Sequence, residues 1–158
     1  MKGNKKVLSV LNELLAEELT AISQYMVHSE MCDNWGYEKL HQAIEKQAVD
    51  EMHHAEWLIG RILFLDGTPI VTKLSPMRFG KDVPQMVAYD EAAELGAVRA
   101  YNDGIRVARE AGDQATADLL LKILKEEEAH ADWGEVQRTQ IEQTGLQNYL
   151  ARQAGGGE

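Results

Sequence analysis

Two short stretches decide the reading of this sequence: Asp50-Glu51-Met52-His53-His54-Ala55-Glu56 and Glu126-Glu127-Glu128-Ala129-His130. Each holds a Glu and a His three residues apart, which a helix places on one face. Glu51 and His54 lie in line with Ile44 and Leu58; Glu127 and His130 lie in line with Leu120 and Ile123. Exactly the same distance upstream of each Glu, 33 residues, stands another Glu in an apolar stripe. Glu18 keeps register with Leu11, Leu15 and Ile22, and Glu94 with Val87, Val98 and Tyr101. Six ionisable side chains are therefore expected to point into a helical core near mid-helix.

The two halves of this pattern are copies. Shifted by 76 residues, the chain matches itself at 11 of 46 positions between Ala16 and Arg61, where ordinary composition gives roughly three. The matches include Glu18/Glu94, Tyr25/Tyr101, Gly36/Gly112, Glu51/Glu127, His54/His130 and Trp57/Trp133. Two helical hairpins related by a pseudo-two-fold axis follow. Four unpaired carboxylates in such a core would cost many kcal/mol or would have to take up protons. Two divalent cations balance them, and neutral histidines complete the ligand set. A mixed carboxylate and imidazole set suits iron or manganese better than calcium or structural zinc.

Helical periodicity extends outward from these residues in four long segments: about Lys5 to Asn34, Tyr37 to Leu65, Pro84 to Ala111 and Asp113 to Thr144. Each is on the order of 40–45 Å long, which suits a bundle. Gly36 and Gly112 mark tight hairpin turns. Asp66 to Val83, with Gly67, Pro69, Pro76 and Gly80, lacks helical periodicity and is long enough to return along the bundle, so that helices two and three run parallel. Asp82, Pro84 and Gln85 form a capped helix start. Leu146 to Gln153 is expected as a short fifth helix, and Ala154 to Glu158 as a frayed tail.

Bulk properties narrow the function. The 158 residues fit one domain spanning the whole chain, and the 44% hydrophobic content supports a sizeable core. A net charge of −10 argues against a nucleic-acid partner and suits attraction of cations. Cys32 stands alone, so neither a disulfide framework nor a thiolate cluster is expected. No apolar signal region or membrane-spanning stretch is evident, and a cytoplasmic location is the expectation.

Along nearly its whole length the sequence resembles the bacterioferritin family. The resemblance rests on Met1-Lys2-Gly3, the Glu18 and Tyr25 helix, the two stretches quoted above, Arg61-Ile62-Leu63-Phe64-Leu65 and Gly145-Leu146-Gln147-Asn148-Tyr149-Leu150. Ferritin-like di-iron proteins as a class place one Glu on each of two helices and Glu-x-x-His on each of the other two. The resemblance implies an all-α, ferritin-like four-helix bundle and a hollow, octahedral shell of about 24 identical subunits. It implies a ferroxidase centre within each subunit, with Glu18, Glu51, His54, Glu94, Glu127 and His130 as iron ligands. Glu51 and Glu127 would bridge two irons, and Glu18 and Glu94 would be terminal. Fe(II) and O2 or H2O2 would be the substrates, and the Fe(III) product would be stored as mineral.

The resemblance also assigns Met52, which one residue after Glu51 faces away from the candidate metal site. Val49, Ala55 and Ile59, with Leu19, Ile22 and Met26 on helix one, offer it an apolar surround. From side-chain chemistry alone Met52 fits a dimer contact. The resemblance implies instead that two copies of Met52 clamp a haem b or related iron porphyrin at a two-fold interface, where a ferredoxin-like donor delivers electrons. The sequence departs from the family in two places. Lys46 stands where some members have a histidine serving an inner-surface iron site with Asp50, and His53 stands where Lys is common.

Several further residues carry expectations. Tyr25 is placed to hydrogen-bond a ligand or donate an electron, and a structural core role fits it equally. Trp57 and Trp133 read as packing, His28, His41 and His53 as exposed. Asp90, one turn before Glu94, either orients a ligand histidine or is solvated. Two rival functions fit these residues less well: a di-iron peroxidase or oxygenase, and a non-catalytic role as a mini-ferritin-like protector or a purely structural bundle. A rubrerythrin-like peroxidase or di-iron oxygenase would want a four-cysteine iron domain or substrate-pocket segments, and a mini-ferritin would place its iron sites between subunits.

Overall fold

The structure, a computed structural model, describes residues 1–155; the end of the expected frayed tail lies outside the described residues. Among the described residues five helices follow one another: α1 (Lys5–Asn34), α2 (Glu38–Phe64), α3 (Val83–Glu110), α4 (Gln114–Thr144) and α5 (Leu146–Ala154). No helix among the described residues is long and apolar enough to cross a membrane.

Local chemistry sets the ends. The Asn4 side chain accepts from the Lys6 and Val7 amides and starts α1. The Asp82 side chain accepts from the Gln85 amide, with Pro84 in the first turn of α3. Gln85 reaches back to the Lys81 amide, one residue beyond the expected capping box. Gly36 and Gly112 take φ values of +83° and +72°, the left-handed conformation that lets the chain double back between α1 and α2 and between α3 and α4. Asp113 caps α4 through the Thr116 amide and also accepts from the Arg61 guanidinium at 3.0 Å, tying α4 to α2. Tyr149 on α5 donates to Gln137 on α4 at 2.7 Å, which folds the fifth helix back onto the bundle.

The α1–α2 and α3–α4 hairpins pack into a four-helix bundle. The 65–82 connection runs the length of α1 as an extended strap, so α2 and α3 both begin where α1 ends and run parallel, as its length requires. A row of polar side chains on one face of α1 holds the strap backbone. Asn12 accepts from the Ile70 amide and donates to the Thr68 carbonyl. Thr20 accepts from the Ser75 amide, Gln24 from the Arg78 amide and His28 Nε2 from the Gly80 amide. His28 Nδ1 then donates to Asp90 on α3 at 2.9 Å, and Gln24 donates to the same carboxylate at 2.8 Å. This corrects two expectations. His28 is fully buried, because it satisfies the end of the strap, and Asp90 serves His28 and Gln24 rather than a ligand histidine. His41 is half-buried as well, hydrogen-bonded to Ser29, whereas His53 is exposed as expected.

The core divides into two apolar clusters. One contains Leu11, Leu15, Leu58, Ile62, Leu120 and Ile123, and the other contains Tyr25, Leu40, Ile44, Met86, Val87 and Tyr149. The buried residues Glu18, Glu51, His54, Glu94, Glu127 and His130 form a layer of their own within the bundle. Replacing His28 by Ala leaves the buried Gly80 amide without its acceptor, removes one of the two donors to Asp90 and opens a cavity. The expected loss is about 2–4 kcal/mol of stability. It should appear as a lowered Tm and as protease cutting within the strap before the helices.

Candidate metal centre

All four long helices contribute to the ionisable layer. Glu18 comes from α1, Glu51 and His54 from α2, Glu94 from α3, and Glu127 and His130 from α4. Their ligand atoms converge as two overlapping quartets, Glu18-Glu51-His54-Glu127 and Glu51-Glu94-Glu127-His130, each with its atoms within 4.8 Å of one another. Glu51 and Glu127 belong to both. Glu51 turns Oε2 to His54 Nδ1 and Oε1 to His130 Nδ1, each at 3.0 Å. Glu127 does the same with Oε1 at 3.1 Å and Oε2 at 3.6 Å. Glu18 stands 3.5 Å from His54 alone, and Glu94 3.5 Å from His130 alone.

The surroundings repeat this symmetry. Tyr25 donates to Glu94 and Tyr101 donates to Glu18, both at 2.5 Å, each crossing from one helical hairpin to the other. Burial pushes both phenols well above their ordinary range, with the neighbouring carboxylates acting the same way, so both remain donors. Behind the histidines, His54 Nε2 donates to Glu126 at 2.6 Å and His130 Nε2 donates to Asp50 at 3.0 Å. These acceptors orient the rings so that Nδ1 faces the carboxylates. Sequence reasoning missed this pair. Asp50 and Glu126 are themselves 76 residues apart, but an Asp-to-Glu match escapes a count of identities.

Electrostatics shows what the cluster lacks. Burial, reinforced by Glu51, pushes Glu18 up to about 8. Burial and a hydrogen bond shared with Glu127 push Glu94 up to about 8. Burial raises Glu51 against the pull of its hydrogen-bonding neighbours. Burial opposes ionisation of Glu127 too, but hydrogen bonds with Glu94 and both histidines outweigh it and keep this carboxylate low. Burial alone would lower His54 and His130; their bonds to the surrounding glutamates reverse this and hold both charged. The neutral imidazoles expected from the sequence are thus a property of a cation-loaded site. Among the described residues, three buried side-chain oxygens have no hydrogen-bond partner: Glu18 Oε2, Glu94 Oε2 and Glu127 Oε2. A buried carboxylate oxygen without a donor calls for a cation, and three carboxylates with one imidazole per quartet is a donor set that hard-to-borderline divalent metals accept.

The other assigned residue lies elsewhere. Met52 is 43% exposed on the outer face of α2, beside exposed Val49, while Met26 is exposed on α1. Ala55, expected in the same surround, turns into the core instead. Trp57 packs against His54 with ring centroids 5.5 Å apart, and the Lys122 ammonium sits 3.8 Å from the Trp57 ring centre. Lys46 pairs with Asp50 at 3.0 Å.

Known proteins place this architecture. The sequence matches the Ferritin family, described as a ferritin-like domain, over residues 8–144. It is 46% identical to a bacterial ferritin of Synechocystis sp. over 97% of this chain and 99% of that protein. It is 41% identical to a bacterial ferritin of Paramagnetospirillum magnetotacticum, covering 98% and 96% of the two chains. It is also 40% identical to a bacterioferritin of Mycobacterium bovis, covering 96% of each. The chain belongs to the ferritin family and, within it, to the bacterioferritins.

The buried charges set the pH dependence of the metal-free protein. Glu18 and Glu94 hold in the folded state a proton that the unfolded chain releases near 4.5, so their contribution is complete below 4.5 and is lost as pH rises to about 8. His54 and His130, also raised, act in the same direction above 6.5. Glu127 and Asp50, both lowered, act oppositely, and their contribution is lost only in acid. The Tm of metal-free protein should therefore be higher at pH 6 than at pH 8, and a Glu18→Gln, Glu94→Gln variant should show a shallower dependence.

Proposed function

We propose that this protein stores iron and oxidises it, as a ferroxidase acting at the six-residue cluster, with the whole of residues 1–158 working as one unit. One observation carries the reading: two metal-ligand quartets share both Glu51 and Glu127, each of which offers one oxygen to either side. Two Fe(II) substrates would bind side by side. Glu18 and His54 hold one, Glu94 and His130 hold the other, and Glu51 and Glu127 bridge them.

The residues then have distinct tasks. Four carboxylates neutralise two divalent ions, and their negative charge favours Fe(III) over Fe(II), which lowers the cost of giving up an electron. Each Fe(II) loses one electron. With H2O2 and two protons the pair yields two waters; with O2 and two protons it yields H2O2. Glu126 and Asp50 keep the imidazoles in place while the charge changes. Tyr25 and Tyr101 fix the terminal carboxylates through their hydroxyls. Bacterioferritin membership supports storage of the Fe(III) product inside a shell of about 24 subunits.

The haem assignment follows the same membership. An exposed thioether with apolar neighbours is a suitable axial donor, so Met52 from each of two subunits would hold haem b or a related porphyrin. When bound, that group supplies a path for electrons from a ferredoxin-like donor to stored iron.

Glu94→Ala and His130→Ala each remove one metal donor. Each should slow initial Fe(II) oxidation on the order of 100-fold while the bundle still folds. Stopped-flow absorbance measures this, and a double variant oxidising at the wild-type initial rate would refute the site. Met52→Leu should leave oxidation unchanged but abolish haem binding; a bis-methionine haem spectrum in that variant contradicts the assignment.

A further inference from the structure

The hairpin between α1 and α2 gathers ionisable side chains that the buried cluster does not use. Glu30 stands near the end of α1, and His41 and Glu45 stand in the first two turns of α2, on one face. The turn at Gly36 brings the three together. Each offers one ligand atom, and these atoms lie within 4.8 Å of one another. Glu30 and Glu45 are exposed, and His41 is half-buried. Among the described residues neither glutamate pairs with a lysine or an arginine; Glu45 has only His41 Nε2, at 3.6 Å, too far for a hydrogen bond.

Carboxylates crowded at a surface would signify nothing by themselves. The histidine makes the difference, because Ser29, buried on α1, fixes its ring. The Ser29 hydroxyl donates its single hydrogen to the His41 carbonyl at 3.1 Å. It can then only accept from His41 Nδ1, 2.9 Å away, and the Ser29 carbonyl offers Nδ1 a second acceptor at 3.1 Å. Nδ1 therefore carries the proton, and in the neutral ring Nε2 keeps its lone pair on the side of Glu45. An imidazole held through one nitrogen by a backbone carbonyl, with the other nitrogen turned to carboxylates, is how proteins present histidine to a metal.

We infer that Glu30, His41 and Glu45 form a second metal site, which takes one borderline divalent cation such as Zn(II), Fe(II) or Co(II) and staples the end of α1 to the start of α2. One imidazole and two carboxylates, with water completing the shell, suit these ions, whereas Ca(II) and Mg(II) prefer oxygen alone. Bonds of about 2.0–2.2 Å in tetrahedral geometry need ligand atoms about 3.4 Å apart, which small rotations of two exposed glutamates supply. The site is separate from the cluster. His41 precedes Glu51 by ten residues, about 15 Å along α2, and Glu45 is exposed where Glu51 is buried. With three protein ligands in contact with water, it fills after the two four-ligand positions of the cluster. The inference does not depend on the reading of that cluster.

Equilibrium dialysis of Co(II) against full-length metal-free protein, near neutral pH and without oxidant, counts the sites. Wild type should hold three Co(II) per subunit, the third more weakly than the others. His41→Ala and Glu45→Gln should each lose the third, or bind it on the order of 100-fold more weakly. Glu38→Gln removes a neighbouring charge but no ligand, and should keep all three. Hydrogen exchange across residues 30–41 should slow as the third Co(II) binds in wild type and should not respond in Glu45→Gln. Glu45→Gln alters only an exposed side chain and decides the case if His41→Ala does not fold. The site is overturned if Glu45→Gln keeps the wild-type count, or if Glu38→Gln loses a metal as Glu45→Gln does. A wild type holding a single Co(II), lost in Glu45→Gln, refutes the cluster reading and supports this site.

Discussion

Charge neutrality in a buried layer governs this structure. Four glutamates within an apolar bundle cannot all be ionised without partners, since the interior gives a lone carboxylate nothing to replace water. Two arrangements would meet this demand. Without metal, Glu18 and Glu94 keep their protons, and charged His54 and His130 face Glu51 and Glu127. With two divalent cations, four carboxylates and two neutral imidazoles give the same zero net charge. Each cation bound there would displace two protons, and neither state would leave a net buried charge.

The rest of the architecture keeps this exchange in place. Tyr25 and Tyr101 cross between hairpins to hold the terminal carboxylates from opposite sides. Asp50 and Glu126 cross between α2 and α4 to hold the histidines. The strap makes the parallel arrangement of α2 and α3 possible, and the polar row from Asn12 to His28 replaces water that its backbone would otherwise require. Apolar clusters built from Leu, Ile and Tyr supply the packing, so the bundle does not depend on metal for its core.

Much of this was legible in the sequence because it obeys a period. The helices, the glycine turns, the long crossover and the convergence of six ionisable residues all follow from 3.6-residue stripes and from a 76-residue repeat. What escaped was aperiodic or only chemically similar. His28 reads as a surface histidine because nothing local announces the strap that lies over it; its partners Gly80 and Asp90 are 52 and 62 residues away. Asp50 and Glu126 were overlooked as histidine partners because the repeat preserves their acidity and not their identity. The protonation of the cluster lies further from sequence still, since it depends on distances between four helices.

The central claim, that protons and divalent cations exchange within one neutral cluster, is tested most directly by counting protons. Metal-free protein near pH 7 in weak buffer would be titrated with Co(II) or anaerobic Fe(II) while proton release is followed. The account predicts that the first two metals release about four protons per subunit, one each from Glu18, Glu94, His54 and His130. Binding of two metals with no proton release would contradict it.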